Sequence, residues 1–301
     1  SCRRKSDLPS VLLKSRFSTL AGLILALILP IFALAPLFYP GYLQTHSGLV
    51  PLWNVADLSA RLGHLSWTPH LATNFDPLRS DGLLPYYLAG LIPLSPAVAV
   101  KIVLGLGWLL GSLGMFLLLK SWLGHPGALV AAQVYTYLPY RIATVYVRGA
   151  WGEALFWGLL PWALLATTYL TSFPKLGQAK LTLLRLFTLV IAAAFWLLLG
   201  LSQLGLALWA FVFVALMLLA LHRPQALLPI LAALLGTVAG LALALSLSVP
   251  SPIPFVSFTD HFLYPFQLIS AYWGFGPSKP GWNDGLSLQL GLAAVGLTIL
   301  T

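Results

Sequence analysis

The chain has 301 residues, of which 59% are hydrophobic and only 8% charged, with a formal net charge of +9. Soluble domains carry roughly a quarter charged residues, so a water-soluble fold is excluded. The apolar residues come in runs of about 16 to 24, close to the ~20 helical residues that cross a ~30 Å hydrocarbon core. Period-two alternation is absent and Leu and Ala dominate, which disfavours a β-barrel. The expected fold is all-α, a polytopic transmembrane helical bundle in one domain over residues 1–301. The basic residues sit beside the apolar runs, as at cytoplasmic flanks facing anionic headgroups, so no nucleic-acid partner is expected. Cys2 is the single cysteine, which excludes an internal disulfide and a thiolate metal cluster.

The tail 1–16 carries Arg3, Arg4, Lys5, Lys14 and Arg16 against Asp7. By the positive-inside rule it is cytoplasmic. Phe17 to Phe38 follows as the first span, with no small-residue cleavage pattern after it, and reads as a retained anchor. Residues 39–82 form a first outer loop longer than an ordinary connector. Trp53 and Trp67 within it favour ordered, short interfacial helices, because Trp prefers the headgroup level.

Leu83 to Leu94 is apolar for only about 12 residues, roughly 18 Å of helix, and reads as a half-span that returns to the face it left. Ala97 to Leu119 then descends to Lys120, and Ala128 to Leu138 climbs back. Residues 139–153 are an outer segment. Ala154 to Leu170 descends, Leu186 to Leu201 and Leu204 to Leu221 form a hairpin turned at Ser202-Gln203, and Leu227 to Val249 ascends. Residues 250–286 form a second large outer loop. Of seven acidic residues, all but Asp7 fall on the outer side in this arrangement. The chain starts at Ser1, not Met, and stops at Thr301 inside an apolar run too short to finish a crossing, so a C-terminally truncated fragment is expected.

The spans hold almost no ionisable groups, whereas ion-coupled transporters place carboxylates or histidines at mid-membrane. That pattern favours chemistry at the outer surface on something reached from the lipid. Residues 139–154, PYRIATVYVRGAWGEA, contain the only glutamate, Glu153, with Arg141 and Arg148. Seven residues apart on a helix, the two arginines would share a face, with Tyr140 and Tyr146 nearby. Guanidinium forks bind phosphate oxygens bidentately. Snorkelling to headgroups, or an Arg148–Glu153 ion pair that only fixes the loop, are the alternatives.

Asp57, Asp76 and Asp81 are candidate general bases for an attacking hydroxyl, and each also fits a solvated loop position. His46, His64 and His70 could join them around a divalent metal ion, but no two have a recognised ligand spacing, and no metal ligand is assigned. In the last loop Trp273 stands among glycines and a proline, suited to stacking on a sugar ring or to anchoring at the interface.

Taken in order, Thr45-His46, Trp67-Thr68-Pro69, Leu84-Pro85-Tyr86-Tyr87, PYRIATVYVRGAWGEA, WGFGPS (residues 273–278) and DGLSLQLG (284–291) resemble bacterial integral membrane proteins of the GT-C glycosyltransferase superfamily. The group is often labelled "6-pyruvoyl-tetrahydropterin synthase-related". The resemblance, over about Thr45 to Gly291, implies a GT-C-like fold in the bacterial plasma membrane and work on the cell envelope. It also implies inverting transfer of a sugar from a polyprenyl-phosphate donor to an acceptor at the outer face.

On that reading Arg141 and Arg148 hold the donor phosphate, an aspartate of the first loop deprotonates the acceptor, and Glu153 orients Arg148. His46, Tyr140, Tyr146 and Trp273 line the substrate. The family's acid often stands straight after the first span, where this chain has Ser47 after His46, and the family's Ser-His at the later hairpin turn is Ser202-Gln203 here. The competing expectation is a non-catalytic lipid-binding or lipid-translocating protein on the same scaffold.

Overall fold

The computed structural model describes residues 19–45, 47–60, 82–171, 178–221, 226–247 and 296. Every regular element among them is helical, as long runs of Leu and Ala require when their own backbone must satisfy its hydrogen bonds without water. Among the described residues five stretches are long and apolar enough to cross a membrane: Thr19–Phe38, Pro96–Thr136, Leu183–Ser202, Leu204–Leu221 and Leu227–Ala244.

The first stretch, α1 (Thr19–Phe38), changes to a tight 3-10 turn at Ala35–Phe38, where Pro36 stands in the first turn. Two short helices follow, α2 (Val50–Ala60) and α3 (Leu84–Gly90). The seven residues of α3 amount to about 10 Å. Leu83 donates its N–H to the Leu201 carbonyl, and Pro96 opens the next helix soon after. The segment therefore begins and ends at one end of the bundle.

The long element α4 (Pro96–Thr136) is two arms. Gly124 breaks it with φ 68° and ψ 180°, a conformation open essentially to glycine alone. On a straight helix Phe116 and Ala132 would lie about 24 Å apart, yet both belong to one buried cluster with Ala26 and Ala128. Gly124 thus reverses the chain, and the second arm runs back along the first.

After α4 come α5 (Pro139–Ala143), a π-helical turn (Thr144–Arg148), α6 (Trp151–Tyr169), α7 (Gln178–Ser202), α8 (Leu204–Leu221) and α9 (Leu227–Leu247). Cross-links set their directions. Ser112 of α4 donates to Ala26 of α1 at 2.7 Å and Lys101 donates to the Tyr39 carbonyl, so α1 and the first arm are antiparallel. Trp162 of α6 donates to the Leu110 carbonyl at 2.9 Å, and the Trp196 indole of α7 donates to Thr167 Oγ1 at 3.0 Å.

Backbones touch where α4 meets α6: a Cβ on Gly158 would stand 2.6 Å from the Gly107 carbonyl oxygen. Apolar burial gives little association energy between helices in lipid, so such close small-residue approaches carry the packing. Their effect here is to bring Tyr39, Thr45, Ser47, α2, α3 and the start of α6 to one end of the bundle.

Candidate functional site

The site grows from the break between α4 and α6. Pro139 disfavours the helical conformation for the residue before it, and Leu138 is extended at φ −55° and ψ 127°. The chain restarts as α5, widens into the π-helical turn, and stops at Gly149, which has φ 66°. Ala150, extended, then leads into α6. In this geometry Arg148 ends the turn and Glu153 sits in the first turn of α6, where the positive end of a helix favours a carboxylate.

The two side chains meet fork to fork. Arg148 donates from Nη1 to Glu153 Oε2 at 2.8 Å and from Nη2 to Oε1 at 2.9 Å. Tyr140 donates to Glu153 Oε2 at 2.8 Å and accepts from Arg148 Nη1 at 3.4 Å, closing a three-membered cluster. The pair is not symmetric: 31% of the Arg148 side chain is exposed against 9% for Glu153. Burial opposes the charge on Arg148, but Glu153 and Tyr140 together more than offset it and its pKa is raised. Burial, then the neighbouring Glu153 charge, push the Tyr140 hydroxyl up to about 12. Tyr140 is a proton holder here.

Ser47, after α1, holds the backbone beneath the cluster. Ser47 Oγ lies 2.9 Å from the Arg148 carbonyl and 3.0 Å from the Gly149 carbonyl, and its N–H donates to the Arg148 carbonyl at 3.2 Å. The site expected to carry an acid therefore faces two carbonyl oxygens and offers its proton to them. Gly149 has no room for a side chain, since a Cβ would stand 2.3 Å from Thr45 Oγ1.

Arg141 corrects an expectation. It does not share a face with Arg148, because the stretch that joins them is not one α-helix: α5 ends at Ala143 and the π-helical turn changes the rotation per residue. Arg141 is only 4% exposed. Its guanidinium lies 4.5 Å from the centroids of both Trp108 and Tyr135 and donates to the Tyr135 and Gly107 carbonyls at 3.3 Å. Among the described residues no carboxylate pairs with it, and burial lowers its pKa. Aromatic faces and carbonyls do the work of an anion. It locks α5 to both arms of α4 and does not reach a surface ligand in this arrangement.

Tyr146 likewise points inward, donating to the Ala33 carbonyl of α1. Asp57 is half-buried on α2. His46, Asp76, Asp81 and Trp273 lie outside the described residues, as do His64, His70 and the whole of 250–286. Among the described residues no three His, Cys, Asp or Glu side chains come together as a metal site would need. Sequence reasoning missed the ring partners of Arg141 and the Ser47 clamp. Tyr135, six residues before Arg141, was a local signal, while nothing local marked Trp108 or Ser47.

The fold and these contacts define an all-helical integral membrane protein with a charged cluster at one end of its bundle. Comparison with family models, curated proteins and solved structures finds no match.

Proposed function

We propose that the protein is a GT-C type membrane glycosyltransferase that takes a sugar from a polyprenyl-phosphate donor and passes it with inversion to an acceptor. The reaction is placed at the membrane face opposite the basic N-terminal tail. The observation that supports this reading is the Arg148–Glu153–Tyr140 cluster, a half-exposed guanidinium held in a fixed plane at the end of an apolar bundle. As the sugar leaves, negative charge grows on the donor phosphate, and a preorganised cation lowers that barrier most. Glu153 is buried below Arg148 and orients it, and Arg148 turns its remaining donors to the phosphate.

Arg141 is a positioning residue in this scheme. An aspartate of the first loop, Asp57, Asp76 or Asp81, supplies the base that deprotonates the acceptor; any divalent metal ion would draw on the same carboxylates.

A second reading is a lipid-binding or lipid-translocating protein without catalysis. Ser47 favours it, because the hydroxyl at the position of the family's acid is committed to the Arg148 and Gly149 carbonyls. The deciding experiment offers the purified full-length protein in lipid a panel of radiolabelled polyprenyl-phosphate sugars, following both lipid phosphate release and sugar transfer. Transfer that disappears in Arg148→Ala supports the enzyme. Donor binding with no turnover across the panel supports the second reading.

A further inference from the structure

Away from the Arg148 cluster, α1 and the first arm of α4 leave an apolar groove of about 770 Å³ between them. Its walls include Leu34, Leu37 and Phe38 from α1 and Ile102, Leu106 and Leu109 from α4, and among the described residues Lys101 is the one charged residue lining it. Phe38, Leu106 and Ile102 keep much of their surface open, so the groove is entered from the side of the bundle, where lipid would lie.

Lys101 stands in the second turn of α4, at the end of the groove where α1 stops, and donates to the Tyr39 carbonyl. An ammonium carries three donors, and among the described residues no carboxylate neutralises this one. From Lys101 to Leu109 the groove follows α4 for about 12 Å, nearly the ~15 Å depth of one leaflet. Gly105 in the middle keeps it open. A Cβ there would meet only Leu37 Cδ1 at 3.9 Å and Leu34 Cδ2 at 4.0 Å.

We propose that this groove holds an acyl chain of an anionic glycerophospholipid whose phosphate rests on Lys101. The order along the groove, cation first and then hydrocarbon toward mid-membrane, is the order of headgroup and tail in a leaflet. A single cation matches the single charge of a phosphodiester, and one leaflet's depth matches an acyl chain, where a long isoprenoid would overrun the groove. The proposal does not depend on the transfer reaction.

The test uses the full chain in phosphatidylcholine vesicles doped with a phosphatidylglycerol that carries a photoactivatable group on its acyl chain. The same photoactivatable chain on phosphatidylcholine serves as the comparison. Crosslinks are located by mass spectrometry of the peptides spanning 34–41 and 97–109. Labelling of these peptides by phosphatidylglycerol should exceed that by phosphatidylcholine about fivefold, the worth of one basic residue at an anionic surface.

Lys101→Gln should bring the two lipids to parity, and Lys101→Arg should restore the preference. Gly105→Leu, whose Cβ finds only ordinary contacts with Leu37 and Leu34, should reduce labelling by both. Each variant is checked for helix content and monodispersity before labelling. Equal labelling by both lipids in the unaltered protein, or no change in Lys101→Gln, would overturn the phosphate contact. Displacement by a polyprenyl phosphate at lower concentration than by phosphatidylglycerol would overturn the choice of occupant.

Discussion

Ser47 and Arg148 are joined through the backbone, not through charge: the Ser47 hydroxyl lies 2.9 Å from the Arg148 carbonyl oxygen and 3.0 Å from that of Gly149. A carboxylate in that place would meet two acceptors with no proton to offer. Ser47→Asp should therefore destabilise the protein by about 1 to 2 kcal/mol, the cost of a part-buried acceptor left unsatisfied, and Ser47→Ala by about 1 kcal/mol. Thermal unfolding in detergent checks both. A Ser47→Asp variant that keeps its melting temperature would show that the hydroxyl is not held by the two carbonyls as the geometry describes.

The Arg148–Glu153 pair yields a test that separates charge from scaffold. Arg148→Ala leaves a nearly buried carboxylate without its partner and should cost about 3 kcal/mol, whereas Arg148→Met with Glu153→Leu should recover most of that stability. Both variants should be without transfer activity. If the double variant remains unstable, the fork-to-fork contact holds the site by shape and not by charge.

Arg141 should respond differently. Arg141→Met keeps the volume between Trp108 and Tyr135 and should cost about 1 kcal/mol, while Arg141→Ala opens a void between the rings and should cost about 3 kcal/mol. In a transfer assay Arg141→Met should leave the KM for the donor within about twofold of the parent, as a positioning residue would. A large rise in KM would return Arg141 to the phosphate.

Two glycines with positive φ should fail for different reasons. Gly124→Ala meets nothing within 4 Å, so its cost is conformational, about 1 to 3 kcal/mol. Gly149→Ala adds a collision with Thr45 at 2.3 Å. Thr45→Ala should recover part of the loss at Gly149 and none at Gly124, read as melting temperatures of the single and paired variants.

The Tyr140 hydroxyl gives a pH signature. Its pKa is pushed up from 10.0 to about 12 by burial and by Glu153. The folded state then holds the proton more tightly than the unfolded chain, so this contribution is whole below pH 10.0 and is lost as pH rises toward about 12. Tyr140→Phe should flatten the fall in melting temperature between those values relative to the parent. An identical alkaline profile in the two proteins would show that the hydroxyl is not held as the geometry describes.

Local physics decided how much could be read without the fold. Helix positions were legible because runs of Leu and Ala mark them, although the helix over Trp151–Tyr169, read as a crossing, is not among the five apolar enough to cross a membrane. The α7–α8 hairpin turned at Gln203, the short α3 and the two arms of α4 all fall where apolar length and the polar turns placed them. The Arg148–Glu153 pair was legible too, as an alternative to phosphate binding, because its members are only five positions apart. The shared face for Arg141 and Arg148 was not there, because that inference assumed one continuous helix and the chain inserts a π-helical turn.

By itself, then, the sequence determined an all-helical membrane bundle, since hydrophobic length and the backbone's need for internal hydrogen bonds act locally along the chain. It also determined where charge could gather, because so few ionisable residues are present. Only the tertiary structure decided which arginine faces out and which is caged by Trp108 and Tyr135. It alone set Ser47 against Arg148 across 101 residues of sequence and opened a groove beside Lys101. Those outcomes depend on how far each helix is rotated and which backbones approach at glycine, and such quantities are fixed by the packing of distant segments.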